Sequence, residues 1–360
     1  MAAYILRRLL LIIPTLLGIM LLNFAIIQFA PGGPVEQALT ELDNPSGGDA
    51  TARFSGGSDG VGQSAGTSYR GRQGIDPDLI KDLERQYGLD KPVHERFALM
   101  IWNYARFDFG ESFQRSETVI NIILEKMPVS ISLGLWATLI AYAVSIPLGI
   151  RKAVKDGTAF DTTTSGIIIA AYSLPGFLVP VILLVLFAGG TYWQLFPLRG
   201  LTSEGFDEMS TLAQIGDYFW HICLPVIAMS ISGFATITLL TKNSFLEEIR
   251  KQYVLTARAK GLSERRVLYG HVFRNAMLLV VSTLPAAFVG IFMTGSIFVE
   301  TVFSLDGLGL LGFESVVKRD YPVVLGTLYI FGLIGLLVKL VSDLVYVWID
   351  PRIDFDRREG

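Results

Sequence analysis

Apolar residues in this chain fall in long runs separated by short polar segments, a pattern that predicts six membrane-crossing helices. The first run, 9–29, follows Arg7 and Arg8 and is about twenty residues long, enough to cross a bilayer. A cleaved leader has an apolar core of only ~7–15 residues, so this run reads as a retained helix starting in the cytoplasm. Pro14 near its start is tolerable as a kink in a helix bundle. Further runs predict spans over 128–150, 166–188, 222–241, 277–299 and 323–348. Within the third, Ser173-Leu174-Pro175-Gly176 and Pro180 predict a broken or bent helix. Such a break is tolerated where it lines a cavity or is buried in protein, and both readings stay open.

The polar stretches have their own logic. Residues 31–127 form one long external region after the first span. Its segment 44–74 is rich in Gly, Ser and Asp and cannot build a core, so it reads as a flexible insertion. Asp76-Pro77 is an N-cap and N1 pair that opens an amphipathic helix over 77–87, ended by Gly88. A second amphipathic helix is expected over 92–107, with Phe97, Ile101, Trp102 and Ala105 on its apolar side. The segment 189–221 is an external loop with Trp193 and Trp220 at its edges, as interfacial aromatics are placed.

Residues 243–275 form a basic loop between two spans. From 244 to 260 there is neither Pro nor Gly, and good helix formers predominate, so one helix is expected there. Gly261 stops it, since only glycine takes a left-handed position without strain. Ser263 is placed to cap a second helix through Arg266, Leu268 and His271. Tyr253, Ala257 and Gly261 share one face of the first helix, an aromatic beside two small residues, which suits close docking against a partner groove. The plainer alternative is a solvated loop whose charges only set topology.

Composition agrees with the runs. The 360 residues are 51% hydrophobic and 18% charged, with mean hydropathy +0.48, against about a quarter charged in soluble domains. A net charge of −3 says little, because the distribution matters more. About sixteen Lys and Arg fall on the cytoplasmic side of the six-span topology; the two short external loops carry only Arg199, Lys318 and Arg319. Both termini are therefore expected in the cytoplasm, with 350–360 as a tail. Lys339 and Asp343 lie inside the sixth span one turn apart, which puts them on one helix face. Charges within a span usually pair, so either a local ion pair or a role with substrate or in coupling accounts for them.

Several chemistries are disfavoured. The lone Cys223 cannot form an intrachain disulfide, and His94, His221 and His271 lack metal-ligand spacing. No phosphate-binding G-x-x-x-x-G-K-[ST] occurs, so nucleotide would have to bind elsewhere. G-x-S-x-G occurs only inside the Gly/Ser-rich segment, at 56–60 and 62–66, where no strand–turn–helix is expected to present a nucleophile. A membrane-embedded hydrolase needs a nucleophile and base at one depth, whereas His221 and His271 are expected at opposite faces. A secondary transporter would often show paired broken helices in repeats; one broken span and no clear repeat argue against it.

The sequence T-A-R-A-K-G-L-S followed by H-x-x-R-N-A resembles the "EAA" loop of bacterial ABC importer permeases of the dipeptide and oligopeptide type. Thr256 stands where the eponymous motif has Glu, as peptide-type loops often read. The likeness extends to Ala-Pro-Gly-Gly-Pro after the first span, where Gly33 replaces a usual Asp. It continues in YGLDKPVHERF and FDFGESF, in VETVFSLDGLG with RDYPVV, and in Asp350-Pro351-Arg352. In that string Gly307 and Gly309 permit a turn, and 310–318 could form a short external helix. Asp343 matches an Asp common in the family, while Lys339 stands where Asn is more usual. A narrower likeness is to the Yej-type importers of microcin C and oligopeptides.

The resemblance implies an all-α integral membrane protein of the ABC importer type I permease fold: six transmembrane helices and a long periplasmic region after the first. It implies a non-catalytic inner-membrane subunit that imports peptides or peptide-like compounds by alternating access. The implied partners are a YejE-like second permease, YejF-like ATPase subunits that bind ATP and magnesium, and a YejA-like periplasmic peptide-binding protein. Nucleic acid is not among them, and this chain itself is expected to hold neither cofactor nor metal. The loop would dock in the ATPase through Tyr253, Ala257, Arg258, Ala259, Lys260, Gly261 and Leu262, turning ATPase closure into rotation of the membrane helices. A bulky charge at Ala257 or Gly261 is then expected to uncouple hydrolysis from transport while leaving insertion intact.

Overall fold

The computed structural model describes residues 2–29, 91–115, 117–189, 192–284, 286–287 and 297–349, and regular structure among them is helical apart from one isolated bridge, Glu111 to Thr118. The Ala-Pro-Gly-Gly-Pro exit, the 44–74 insertion, the helix expected over 77–87 and the tail lie outside the described residues. So does the middle of the expected fifth span.

The first long apolar run forms α1, Ala2–Phe29, which continues through Pro14. The amphipathic α2, Val93–Ala105, falls where Phe97 and Ile101 predict it. Helix α3, Val119–Val154, runs well past the expected span at both ends and accommodates Pro128 and Pro147. The third apolar run is interrupted as its Pro-Gly pair predicts. Helix α4, Ala159–Tyr172, stops before Ser173, and α5, Leu178–Phe187, resumes after Phe177.

Helix α6, Thr211–Ile249, starts ahead of the expected Ile222, so part of the external loop is helical, and it runs on beyond Thr241. The basic loop carries α7, Gln252–Ala259, and α8, Glu264–Val267, then one π-helical turn, Leu268–Val272, leading into α9, Phe273–Val281. The chain closes with α10, Ile297–Val302, α11, Leu308–Val317, and α12, Tyr321–Ile349. Among the described residues four helices contain apolar stretches long enough to cross a membrane: Ile5–Ile26, Val119–Val154, Thr211–Ile231 and Tyr321–Val345.

Two compact units partition the chain. The larger comprises Met1–Leu9, Glu125–Leu311 and Leu333–Gly360. In it α3 and α6 pack backbone to backbone: a Cβ on Gly149 would stand 2.6 Å from Thr241 Cβ and 2.8 Å from the Thr238 carbonyl oxygen. Ser145, one turn before Gly149, donates to the Phe234 carbonyl at 3.2 Å, and Ser230 donates to Ala137 at 3.2 Å. Small residues at this spacing are how membrane helices approach closely enough for van der Waals packing to hold them. Leu133, Val179, Ile222, Val226, Val299 and Phe303 fill a core between α3, α5, α6 and α10.

In the same unit Glu300 on α10 is buried and accepts the Leu310 amide at 2.7 Å and the Ser130 hydroxyl at 3.2 Å. A Cβ on Gly307 would lie 2.5 Å from the Glu300 carboxyl carbon. Gly307 is therefore demanded by space at this turn. The local ion pair, one of the two readings of Lys339 and Asp343, is not formed. Arg8 on α1 approaches Asp343 to 3.1 Å instead, while Lys339 is exposed and makes no ion pair among the described residues. A shared helix face does not fix the partner when a neighbouring helix offers a guanidinium at closer range.

The smaller unit, Leu10–Leu124 with Gly312–Gly332, is built on aromatic packing. Tyr104 meets Phe109 at 4.9 Å and Tyr329 at 5.4 Å between ring centroids, both edge to face. A Cβ on Gly326 would stand 2.7 Å from Val119 and 3.2 Å from Phe109, so α12 meets this cluster through a glycine.

Candidate functional site: the basic two-helix loop

The single helix expected over 244–260 is two. Helix α6 ends at Ile249, Arg250 and Lys251 leave the helical ladder, and α7 starts at Gln252. No glycine or proline marks this break. Its physical reason is packing: Phe245 on α6 and Val254 on α7 are both fully buried in one core with Ile150, Ala153, Val267, Val272 and Ala276. A chain that must present both residues to the same core has to turn between them. The turn is fastened by Glu248, which accepts the Tyr253 hydroxyl at 2.7 Å and pairs with Lys251. Asn275 in turn donates to the Tyr253 oxygen at 3.3 Å, and Ser244 donates to the Ala276 carbonyl at 2.6 Å. Burial alone would raise the Glu248 carboxyl, but hydrogen bonds from Lys251 and Tyr253 hold it below the usual glutamate range. Burial, and then the Glu248 carboxylate, push the Tyr253 hydroxyl up.

Gly261 ends α7 at φ +79°, with its amide bonded to the Arg258 carbonyl at 2.9 Å and the Leu262 amide to Ala257 at 3.4 Å. These two bonds make the paired C-terminal motif that glycine permits. Ser263 stands at the N-cap of α8, though its side chain makes no capping bond. Arg258 reaches over the turn to Glu264 at 2.9 Å, tying the two helices together.

The loop residues divide into two faces. Ala257 is buried, and Tyr253 and Leu262 are half-buried, all three against the chain's own core. Arg258, Ala259, Lys260 and Gly261 are exposed. The face shared by Tyr253 and Ala257 is thus spent on intramolecular packing, and a charge at Ala257 would disturb the loop itself. Sequence reasoning passed over Leu255, an aliphatic side chain left 51% exposed on a helix that buries Val254 and Ala257. Its offset from Val254 was the available signal, because adjacent helical positions cannot both face one core.

A buried ion cluster anchors the approach to this loop, and no motif announced it. Lys152 near the end of α3 is fully buried, donating to the Asp161 carbonyl at 2.8 Å, Thr164 Oγ1 at 2.8 Å and Ser165 Oγ at 2.7 Å. It also lies 3.0 Å from Asp161 Oδ1. Asp161 sits in the first turn of α4, where a carboxylate suits the helix dipole. Its Oδ2 accepts Lys242 Nζ at 2.7 Å and the Gly157 amide at 3.2 Å. Lys242 belongs to α6 and also meets Asp156 at 3.0 Å, with Arg250 3.7 Å from the same carboxylate. Lys242 above all, and Lys152 with the Gly157 amide, hold the Asp161 carboxyl far below the ordinary aspartate range, against the opposing effect of burial.

The sequence matches known proteins along its whole length. Residues 145–355 match the family described as the binding-protein-dependent transport system inner membrane component. The chain is 61% identical to the peptidoglycan transport system permease protein YejB of Agrobacterium fabrum, covering 100% of both. It is 56% identical to the inner membrane ABC transporter permease protein YejB of Escherichia coli O157:H7, over 99% of this chain and 100% of the relative. With the dipeptide transport system permease protein DppB of Escherichia coli K12 it shares 33% identity, over 98% and 99% of the two chains. The family match takes in the ion cluster, the basic loop and α12.

Proposed function

The chain belongs to the family of binding-protein-dependent transport system inner membrane components, and on that footing we propose that it is a permease subunit of an ABC importer for peptides or peptide-bearing compounds. The names of its relatives, which speak of dipeptide and peptidoglycan transport, support a substrate with a peptide backbone, and a microcin of peptide character belongs to the same chemistry. The permease performs no chemistry itself. It supplies a path through the membrane and a means of opening it alternately to the two sides, by six spans with both termini in the cytoplasm.

The observation that carries this reading is the outward face of α7. Leu255, Arg258, Ala259 and Lys260 project from a helix whose other side is fastened by Val254, Ala257 and the Glu248–Tyr253 bond. A rigid, basic, partly apolar knob suits a groove on an ATPase subunit that binds ATP and magnesium. A second permease and a periplasmic binding protein would complete the importer. Displacement of the knob on ATPase closure would then be delivered to α6 and α9.

The test is ATP hydrolysis in proteoliposomes that hold this chain with its partner permease and ATPase, with and without the binding protein and a mixed tripeptide pool. Stimulation by the loaded binding protein is expected, and Leu255→Glu and Gly261→Glu should abolish it while the complex stays assembled. Hydrolysis indifferent to binding protein and variants alike would refute the docking role.

A further inference from the structure

Asp161 is the side chain that ties three helices together. It stands on α4, and its two oxygens separately reach Lys152 of α3 and Lys242 of α6. The elements on either side of it differ in what they lead to. Seven residues beyond Lys242, α6 ends and the chain turns into α7 and its exposed face. Beyond α4 the chain loses its helix at Ser173 and resumes as α5, the interrupted apolar segment. A displacement entering at α7 therefore reaches α4 by way of α6, on which α4 packs and to which its buried carboxylate is ion-paired, close to where α6 ends.

The groups facing that carboxylate are all accounted for. Lys152 and Lys242 supply the charge, and the Gly157 amide supplies a hydrogen bond. Asp156 shares Lys242 at 3.0 Å, and Arg250 balances Asp156 from the solvent side. Arg151 and Lys155 lie over the Phe160 ring at 5.0 Å and 5.8 Å, outside the cluster. A buried ion cluster adds little net stability compared with apolar packing of equal volume, because desolvation offsets most of the attraction. What it does impose is position: the Lys242 amine must hydrogen-bond one carboxylate oxygen while the Lys152 amine, its three protons given to the Asp161 carbonyl, Thr164 and Ser165, stays within ion-pair range of the other.

We propose that Asp161 is a positioning residue for transport, a latch that binds α4 to the coupling end of α6 so that movement of the exposed loop is passed to the interrupted α4–α5 segment. The inference rests on the importer reading and adds to it the route by which the loop's displacement reaches the membrane helices. Removing the latch leaves α7 free to follow the ATPase but uncouples α4 from it.

The experiment is hydrogen exchange on the assembled importer, with and without a non-hydrolysable ATP analogue, comparing amides of α7 and of α4. In the wild-type complex both should respond to nucleotide. In Asp161→Asn, which keeps shape and removes charge, α7 should respond as before. The nucleotide-dependent change in α4 should shrink by about two- to thirty-fold, the range over which mutations away from both sites modulate coupling. Lys242→Gln should do the same while leaving Asp161 paired with Lys152, and it serves if the Asn variant fails to assemble. A residue that only stabilises the fold would speed α4 exchange equally in both nucleotide states and preserve the response, and that result would overturn the latch. A wild-type α7 indifferent to nucleotide would instead overturn the importer reading, and the latch with it.

Discussion

The Ser112 hydroxyl donates to the buried carboxylate of Asp320 across 208 residues of sequence. The same carboxylate accepts the Phe113 amide at 3.2 Å, and the Ser112 oxygen accepts the amides of Gln114 and Arg115. Two motifs, FDFGESF and RDYPVV, are thereby one structural device. Asp320→Ala leaves a hydroxyl and an amide without their acceptor, which costs about 1–3 kcal/mol when such groups are buried. A lowered thermal midpoint of the purified complex is expected. Adding Ser112→Ala to that background should cost much less than Ser112→Ala alone; simple additivity would show that the two residues act separately.

Gly307→Ala should destabilise the turn between α10 and α11, since the added methyl would sit 2.5 Å from the Glu300 carboxyl carbon. Overpacking of this kind costs about 1–3 kcal/mol. The cost should fall sharply in a Glu300→Ala background, where the obstruction is gone, but persist in Glu300→Gln, which keeps the shape. Thermal unfolding of the wild type and the five single and double variants measures it.

The pH dependence of stability should carry the mark of the Asp161 cluster. The folded Asp161 carboxyl lies below its unfolded value of about 4, so its contribution is present above that pH and lost as pH falls further. Burial lowers the Lys242 amine, but bonds to Asp161 and Asp156 outweigh it and raise the amine above its usual value of about 10.4. That contribution is full below pH ~10 and disappears as pH rises through the folded value. Between these limits the cluster should be indifferent to pH. Asp161→Asn should flatten the acid limb of a plot of thermal midpoint against pH, and an unchanged limb would contradict the assignment.

Gly149→Val should push α3 from α6, because even a Cβ there would overlap Thr241 and the Thr238 carbonyl. About 1–3 kcal/mol of destabilisation is expected from strain alone. Reduced yield of folded complex in detergent, with normal membrane insertion, is the readout. Normal yield would mean that the helices can separate freely.

Much of this architecture was legible as runs of apolar residues. The runs located α1, α3 and α12, and Pro175-Gly176 located the interruption between α4 and α5. Gly261 announced its own turn, because a left-handed backbone needs a residue without Cβ. The break at Arg250–Lys251 was hidden: local propensity favours helix there, and the decision belongs to a core assembled from Ile150, Phe245 and Val254. Arg8–Asp343 was hidden for a related reason, since helical periodicity says which residues share a face and nothing about the neighbouring helix. Lys242 and Asp161 stand 81 residues apart, and no local pattern joins them. The Ser145-x-x-x-Gly149 spacing was readable and marks the close crossing of α3 and α6.

The length of α6 has a mechanical meaning. Its 39 residues, at about 1.5 Å each, make a rod of roughly 58 Å, nearly twice the ~30 Å hydrocarbon layer. A rod pivoting near its middle turns a sideways push of about 3 Å at one tip into a tilt of about 6° and an equal, opposite swing at the other tip. Its close crossing with α3, at Gly149 and Thr241, lies toward the end that carries the basic loop, where a fulcrum multiplies travel at the far tip. A helix that continues through Pro225 for this length, pivoting at that crossing, would trade force for distance, so that a small motion at the loop end would become a larger one at the Thr211 end.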